Sequence, residues 1–437
     1  MMDLDPPVSV TAITALLLSS TQVADLNRFD LLVIGGGAAG FMGAITAAEA
    51  GVARVMVLEA TADPLAKVRL SGGGRCNVTH ACWDPTELTG YYPRGQKPLR
   101  GPFSRFAPGD AVAWFADHGL ELVAEPDGRL FPKQNRSSAV VQCLRQAASC
   151  SGVTVRTTTA VQTLQRCGDR HFRVLCRGGE MFSAEHVLLA TGGHPSGRRL
   201  VSSLGHHVIA PVPSLFTLAL DEPVLSACSG VALDDVALTL QVHSDRFRQV
   251  GRVLITHWGL SGPATLRLTA FAARALRESR YRGELRVSWF GMTPQAELIE
   301  AMRQLRRDVP KRTLAAARPW PQRLPRRLWL GMLNAAGVST DLRWSDCPAR
   351  VEQSLIQQLD QSRFQVKGRG PFGEEFVTAG GVDLGEVNLA TMESRLVPGF
   401  YLAGEVLDID GVTGGFNFQH CWTSGWLAGE AIAAAII

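Results

Sequence analysis

Residues 29–60, FDLLVIGGGAAGFMGAITAAEAGVARVMVLEA, constrain this chain more than any other stretch. The run Leu31-Leu32-Val33-Ile34 is too short for a helix and rich in branched side chains, so it reads as a buried parallel strand. Gly35-x-Gly37-x-x-Gly40 follows at once. An alanine-rich segment, 38–50, then reads as a helix stopped by Gly51. Residues 54–58 form a second buried strand that ends in Glu59 and Ala60. Gly35 permits the tight turn, Gly37 lets the backbone approach a pyrophosphate, and Gly40 lets helix and strand pack closely. The helix start, with Ala38 and Ala39, offers unpaired amides and a positive dipole end to phosphate. Glu59 suits a ribose diol. A lone GxGxxG says little, but here strand, glycines, helix, strand and acid come in the required order.

A second loop follows. Lys67 leads into Ser71-Gly72-Gly73-Gly74-Arg75-Cys76-Asn77, where three glycines let backbone lie against a flat ligand among polar anchors. It falls just past the carboxyl end of the second strand, where open α/β sheets place ligands. Residues 185–193 give an apolar strand ending in Ala190-Thr191-Gly192-Gly193, whose glycines allow close passage of the chain past a cofactor. Near the C-terminus, 399–405 reads as a strand closed by Gly404 and Glu405. Gly414-Gly415-Phe416-Asn417-Phe418 then opens a final helix running to about Ile436. A helix N-terminus there contributes about 1 kcal/mol toward a nearby anion.

The first glycine motif, the Ser-Gly-Gly-Gly-Arg-Cys-Asn loop and the segment Gly-Glu-Val-Leu-Asp-Ile-Asp-Gly (404–411) resemble the BaiN/YhiN-like family of NAD(P)/FAD-dependent flavoproteins, from Phe29 to the C-terminus. The resemblance implies an α/β fold: a glutathione-reductase-type FAD-binding (Rossmann-like) domain with an inserted antiparallel β subdomain and a helical subdomain. It also implies FAD, reduction of activated double bonds in steroid-like substrates, and an adenine contact at Val161. It sets Arg129, in a Gly-Arg-x-Phe-Pro turn (128–132), toward the active-site cleft. His257, in Thr-His-x-Gly-Leu-Ser-Gly-Pro (256–263), is a candidate proton donor, with an ordinary pKa near neutrality.

The division expected is an N-terminal extension (1–28), a first FAD-binding part (29–195), a β-rich insertion (196–292), a helical insertion (293–362) and a second FAD-binding part (363–437). Helices are expected at 110–118 and at 137–149, the latter started by a serine cap. Strands are expected at 153–158 and 160–164. In the β-rich insertion, alternation at 216–220, 236–242 and 285–290 suggests antiparallel strands with one wet face. The extension has acids at Asp3 and Asp5 where a signal peptide would carry positive charge, and its apolar part (8–18) is too short to span a bilayer.

Composition excludes several classes. The 437 residues are 46% hydrophobic and 19% charged, as in ordinary globular proteins. A net charge of +4 argues by itself for neither nucleic acid nor membrane. Nine scattered cysteines form no metal or redox pair, Cys76 and Cys82 being one residue too far apart. Cys76 reads as a packed thiol in a reducing, cytoplasmic compartment. No second GxGxxG offers NAD(P)H its own domain, so NAD(P)H is expected as a transient reductant. The reading is an FAD-dependent oxidoreductase reducing an apolar, enone-type small molecule, with Lys67, Arg75 and Asn77 near the flavin ring as polarising groups. Two competitors stand beside it. One is a flavin-dependent RNA-modifying enzyme, kept alive by nine basic residues between Arg303 and Arg327 interleaved with Trp320 and Trp329. The other is a non-catalytic flavin-binding protein.

Overall fold

Leu31 to Ile34 are all buried, as a strand covered on both faces must be, and they lie in β1 (Arg28–Ile34). β1 is central in a parallel sheet with β2 (Val55–Leu58), β3 (Thr154–Arg156) and β4 (Met181–Leu189), in the spatial order β4-β1-β2-β3. This computed structural model describes residues 27–168, 171–370 and 377–437; most of the N-terminal extension lies outside them. α1 (Ala38–Glu49) crosses from β1 to β2, and Gly51 follows it at φ +104°. The triple-glycine segment differs from the expected loop. α2 (Ala66–Gly74) begins as a helix, kinks at Ser71, and passes through left-handed conformations at Gly72 and Gly73. Only glycine reaches that conformation without strain.

The helix expected at 137–149 spans Ser137–Cys150, but serine does not cap it: Ser137 lies inside the first turn and its hydroxyl donates to the Arg69 carbonyl. Residues 128–132 are a turn at Gly128 running into a strand, Arg129–Pro132.

The insertion closes on itself. β5 (Leu218–Leu220), β6 (Ala232–Val242), β7 (Asp245–Thr256), β8 (Gly259–Ser261), β9 (Gly283–Ser288) and β10 (Ser362–Arg369) form a barrel in the order β5-β8-β7-β6-β9-β10, with β10 returning to β5. α3 (Pro263–Glu278) packs against it. Between β9 and β10 come the helices of the insertion expected to be helical, α4 (Gln295–Asp308), α5 (Arg326–Ala335) and α6 (Ala349–Gln361), joined by non-helical chain. The helical unit is therefore an excursion from the barrel. Residues 363–369, which the sequence division gives to the second FAD-binding part, belong to the barrel instead. The edge of a barrel must pair, and β10 supplies the missing strand.

The chain then returns to the first sheet, where β11 (Phe400–Leu402) joins β4 in parallel and is shorter than the strand expected. Gly404 to Val406 follow as a 3-10 turn. α7 (Phe416–Ile436) ends the chain and packs on α1. Among the described residues no helix is long and apolar enough to cross a membrane.

Candidate functional site

Contacts between glycine backbones and their neighbours show how the motifs meet. A Cβ placed on Gly35 would lie 2.5 Å from the Ala190 carbonyl oxygen, and one on Gly40 only 2.0 Å from that of Gly35. The turns after β1 and β4 are thus in backbone contact. A Cβ on Gly192 would lie 3.4 Å from Glu405 Oε2 and 3.8 Å from Lys67 Nζ, and Lys67 pairs with Glu405 at 2.7 Å. A Cβ on Gly404 would meet Ala39 at 2.9 Å. On Gly415, at φ +93°, it would meet Thr79 O at 2.6 Å and Asn77 Oδ1 at 2.9 Å. Segments 35–40, 67–77, 190–193, 404–405 and 414–418 therefore converge at the carboxyl edge of the sheet, although both ends of the chain supply them.

The edge has the chemistry a dinucleotide needs. α1 starts at Gly37 and α7 at Gly415, each without a side-chain cap and without an acid in its first turn. Both leave amides free for an anion. Nothing lies within 4 Å of the Cβ positions of Gly37, Gly73 and Gly74, so backbone there is open to a ligand. Asn77 Oδ1 is buried with no partner among the described residues. Glu59 Oε2 accepts from the Gly36 amide at 2.8 Å and Oε1 from the Thr61 amide at 2.8 Å. Oε1 also accepts from the Thr61 hydroxyl at 2.8 Å, so it is Oε2 that keeps a second lone pair for a diol. These residues fit FAD.

Several predicted residues have other tasks. Arg75 pairs with Glu125, donates to Asn135 Oδ1 at 2.5 Å and lies 3.9 Å over the Phe131 ring. Through Nε and Nη2 it ties the glycine turn to the hairpin beside it. Arg129 is likewise held by Glu125 at 3.0 Å and Asp127 at 2.8 Å. Cys76 is fully buried, and burial pushes its thiol up to about 12, which suits packing rather than redox chemistry. The Thr191 hydroxyl packs under Gly197. Asn417 closes the loop ahead of α7, accepting from Gly411 N at 2.8 Å and donating to Gly411 O at 2.9 Å. Phe418 stacks on Trp422. Val161 opens the strand Val161–Arg166, whereas Thr159, two residues earlier, donates its amide to the Glu59 carbonyl. His257 is exposed in the turn between β7 and β8.

Three residues that the sequence did not single out stand by the start of α7. Tyr91 stacks on Phe416 with ring centroids 4.3 Å apart and planes at 9°, and His80 stacks on Phe416 at 4.8 Å. Burial, with help from Cys82 and Glu87, raises the Tyr91 phenol and keeps it protonated; Arg267 of α3 opposes this. Burial lowers the Arg267 guanidinium. Arg267 donates to Val250 O at 2.8 Å and has no carboxylate partner among the described residues. Only the Tyr91-Tyr92 pair just beyond the glycine loop hinted at this cluster, because α3 and α7 come from far along the chain.

A family model described as HI0933-like protein Rossmann domain matches residues 29–431. The ribosomal RNA dihydrouridine synthase of Escherichia coli is 31% identical over 425 residues, covering 94% of this chain and 99% of its own. The 3-dehydro-bile acid delta(4,6)-reductase of Clostridium scindens is 29% identical over 418 residues, covering 93% of this chain and 99% of its own. Among solved structures, the open conformation of a flavocytochrome c3 fumarate reductase aligns over 98% of this chain and 82% of its own, with a TM-score of 0.51 at 18% identity.

Proposed function

The chain belongs to the HI0933-like Rossmann-domain family, and from that premise we propose that it is an FAD-dependent, NAD(P)H-consuming reductase acting in the cytoplasm on the uracil ring of a structured RNA. The two relatives named above are named for saturating a carbon–carbon double bond conjugated to a carbonyl, in uridine or in a 3-oxo steroid acid. That shared chemistry makes an enone-type double bond the reacting group here.

The observation that selects RNA is the division of charge. Residues 196–369 carry 25 Lys and Arg against 14 Asp and Glu, while the remainder carries 19 against 26. A modest total conceals a basic insertion on an acidic sheet domain. An apolar substrate gives no reason for that division, whereas a phosphate backbone does. Nine free cysteines suit a reducing compartment.

When bound, FAD supplies hydride, drawn from NAD(P)H, to the alkene carbon β to the carbonyl. The rest falls to this chain. The start of α1 binds the diphosphate, Glu59 the ribose, and the Lys67–Glu405 pair fixes the turn beside Gly192. The start of α7 places positive dipole where negative charge develops. Tyr91 and His80, backed by the buried Phe416, form an aromatic wall against which a flat base can stack. The Tyr91 phenol and the Arg267 guanidinium are the donors for a substrate carbonyl and for the proton that completes saturation.

A second reading, an apolar enone, is favoured by the bile-acid reductase relative. One experiment separates the two. The yellow protein is reduced anaerobically with NAD(P)H and then offered an unmodified ribosomal RNA fragment or a 3-keto-4-ene steroid. Reoxidation by RNA, with two hydrogens gained at a uridine, is expected. Reoxidation by steroid alone moves the assignment to the second reading, and a protein that takes up no FAD overturns both.

A further inference from the structure

Arginines in the helical excursion look like a nucleic-acid surface in sequence, but the structure occupies many of them. Arg306 donates to the Trp344 and Cys347 carbonyls and pairs with Glu352 at 3.2 Å. Arg318 donates to Leu324 O and Pro321 O, and Arg323 lies over Phe290. Trp329 is fully buried, with its indole N–H on Leu314 O, and Trp320 packs on Phe290. Neither indole is a stacking platform.

Strand register brings together a different set. Thr239 on β6 stands opposite Arg248 on β7 and, on its other side, opposite Arg286 on β9. Arg286 in turn stands opposite Arg363 on β10. Three guanidinium groups and one hydroxyl thus form a single row across four strands. Their neighbours Leu238, Leu240, Leu285, Val287 and Ser362 are buried, so the row faces outward, and all three arginines are exposed. With adjacent strands about 4.8 Å apart, the row is about 14 Å long.

Directly opposed like charges destabilise a sheet. Local compensation is slight among the described residues: Arg286 has Glu284 at 2.7 Å, Arg248 has only the Met292 sulfur, and Arg363 has no ion pair. A row kept at a stability cost with so few counter-charges fits a polyanion. Resting on the RNA reading above, we propose that this outer face of the barrel binds the phosphate backbone of the RNA substrate, with Arg248, Arg286 and Arg363 at its centre.

The test measures binding of a ribosomal RNA fragment by the FAD-loaded enzyme across a salt series. It compares wild type, R248Q/R286Q/R363Q, and a control with three exposed basic residues of the helical excursion replaced (R303Q/K311Q/R350Q). Three lost phosphate contacts lower the log–log salt slope by about 2–3. The expected result is that fall, with at least tenfold weaker binding near physiological salt, for the barrel variant alone. NAD(P)H reduction of the flavin at the wild-type rate confirms an intact fold. An unchanged slope in the barrel variant, or equal loss in the control, overturns the proposal while leaving the RNA reading standing. Wild type that binds RNA no better than polyglutamate overturns both.

Discussion

His420 sits on α7 with its ring buried and Nε2 3.3 Å from the Gly404 carbonyl. Burial pushes its pKa from the ordinary 6.5 down to about 4, the carbonyl pulling the other way. The unfolded imidazole takes up a proton near pH 6.5, and the folded one resists until about pH 4. Stability is therefore lost as pH falls through that window and levels off below it, by roughly 3 kcal/mol in all. In His420→Asn this part of the acid limb disappears. The difference in unfolding free energy between wild type and variant then narrows by about that amount from pH 7 to pH 4, read by urea titration at each pH. A constant difference would show that folding does not perturb the ring. Tyr91 permits a kinetic test at the same scale. Tyr91→Phe keeps the stack on Phe416 and removes the phenol proton. NAD(P)H should reduce the flavin at the wild-type rate, while substrate reoxidises it about 100-fold more slowly, as loss of a positioned acid requires. Equal rates in stopped flow would take Tyr91 out of the chemistry.

Between elements, α1 and α7 touch backbone to backbone. A Cβ on Gly425 would lie 2.5 Å from Ala39 O, and one on Gly429 2.7 Å from Gly43 O. Gly425→Ala gains about 1 kcal/mol of helix propensity. It loses about 1–3 kcal/mol to overpacking and also forces apart two helices whose N-termini frame the crevice. A lower melting temperature together with faster FAD loss on gel filtration is expected; a variant that is more stable and still yellow would show that the helices can part without cost. This scale also separates what the sequence made legible from what it hid. The β1–α1–β2 unit was readable because Gly35, Gly37, Gly40 and Glu59 act through local geometry at fixed spacing. The barrel was readable only as alternation, since its closure depends on β10, which returns after three helices. The charge row was hidden too: Arg248, Arg286 and Arg363 are far apart in sequence and meet only through register. Arg75 illustrates the reverse, a site-like residue whose Nε and Nη2 are taken by Asn135 and Glu125, which lie 60 and 50 residues away.

For the molecule as a whole, the question is what holds the barrel against the sheet domain. Arg94 and Asp410, both from the sheet domain, form a buried ion pair, and the same arginine donates to Ala270 O of α3. Ser214, at the entry to the insertion, donates to Asp410 Oδ2 at 2.9 Å and accepts from Arg94 at 3.2 Å. Asp408, two residues before Asp410, receives Arg274 of α3 at 2.7 Å. The two aspartates of the Leu-Asp-Ile-Asp-Gly segment thus bind the insertion, a task their motif did not announce. An antiparallel ribbon of Val208–Pro213 with Thr378–Val382 joins the segments that leave and return. Removing one member of a buried pair strands the other, which costs about 3–5 kcal/mol. Arg94→Met should lower stability by that amount. It should also split denaturation, flavin release and tryptophan fluorescence no longer changing together, because five of the nine tryptophans lie in residues 196–369. Replacing both partners, R94M/D410L, removes the stranded charge and should restore part of the loss. A single coincident transition within about 1 kcal/mol of wild type for Arg94→Met would mean that the ribbon and Arg274 alone fix the barrel over the crevice.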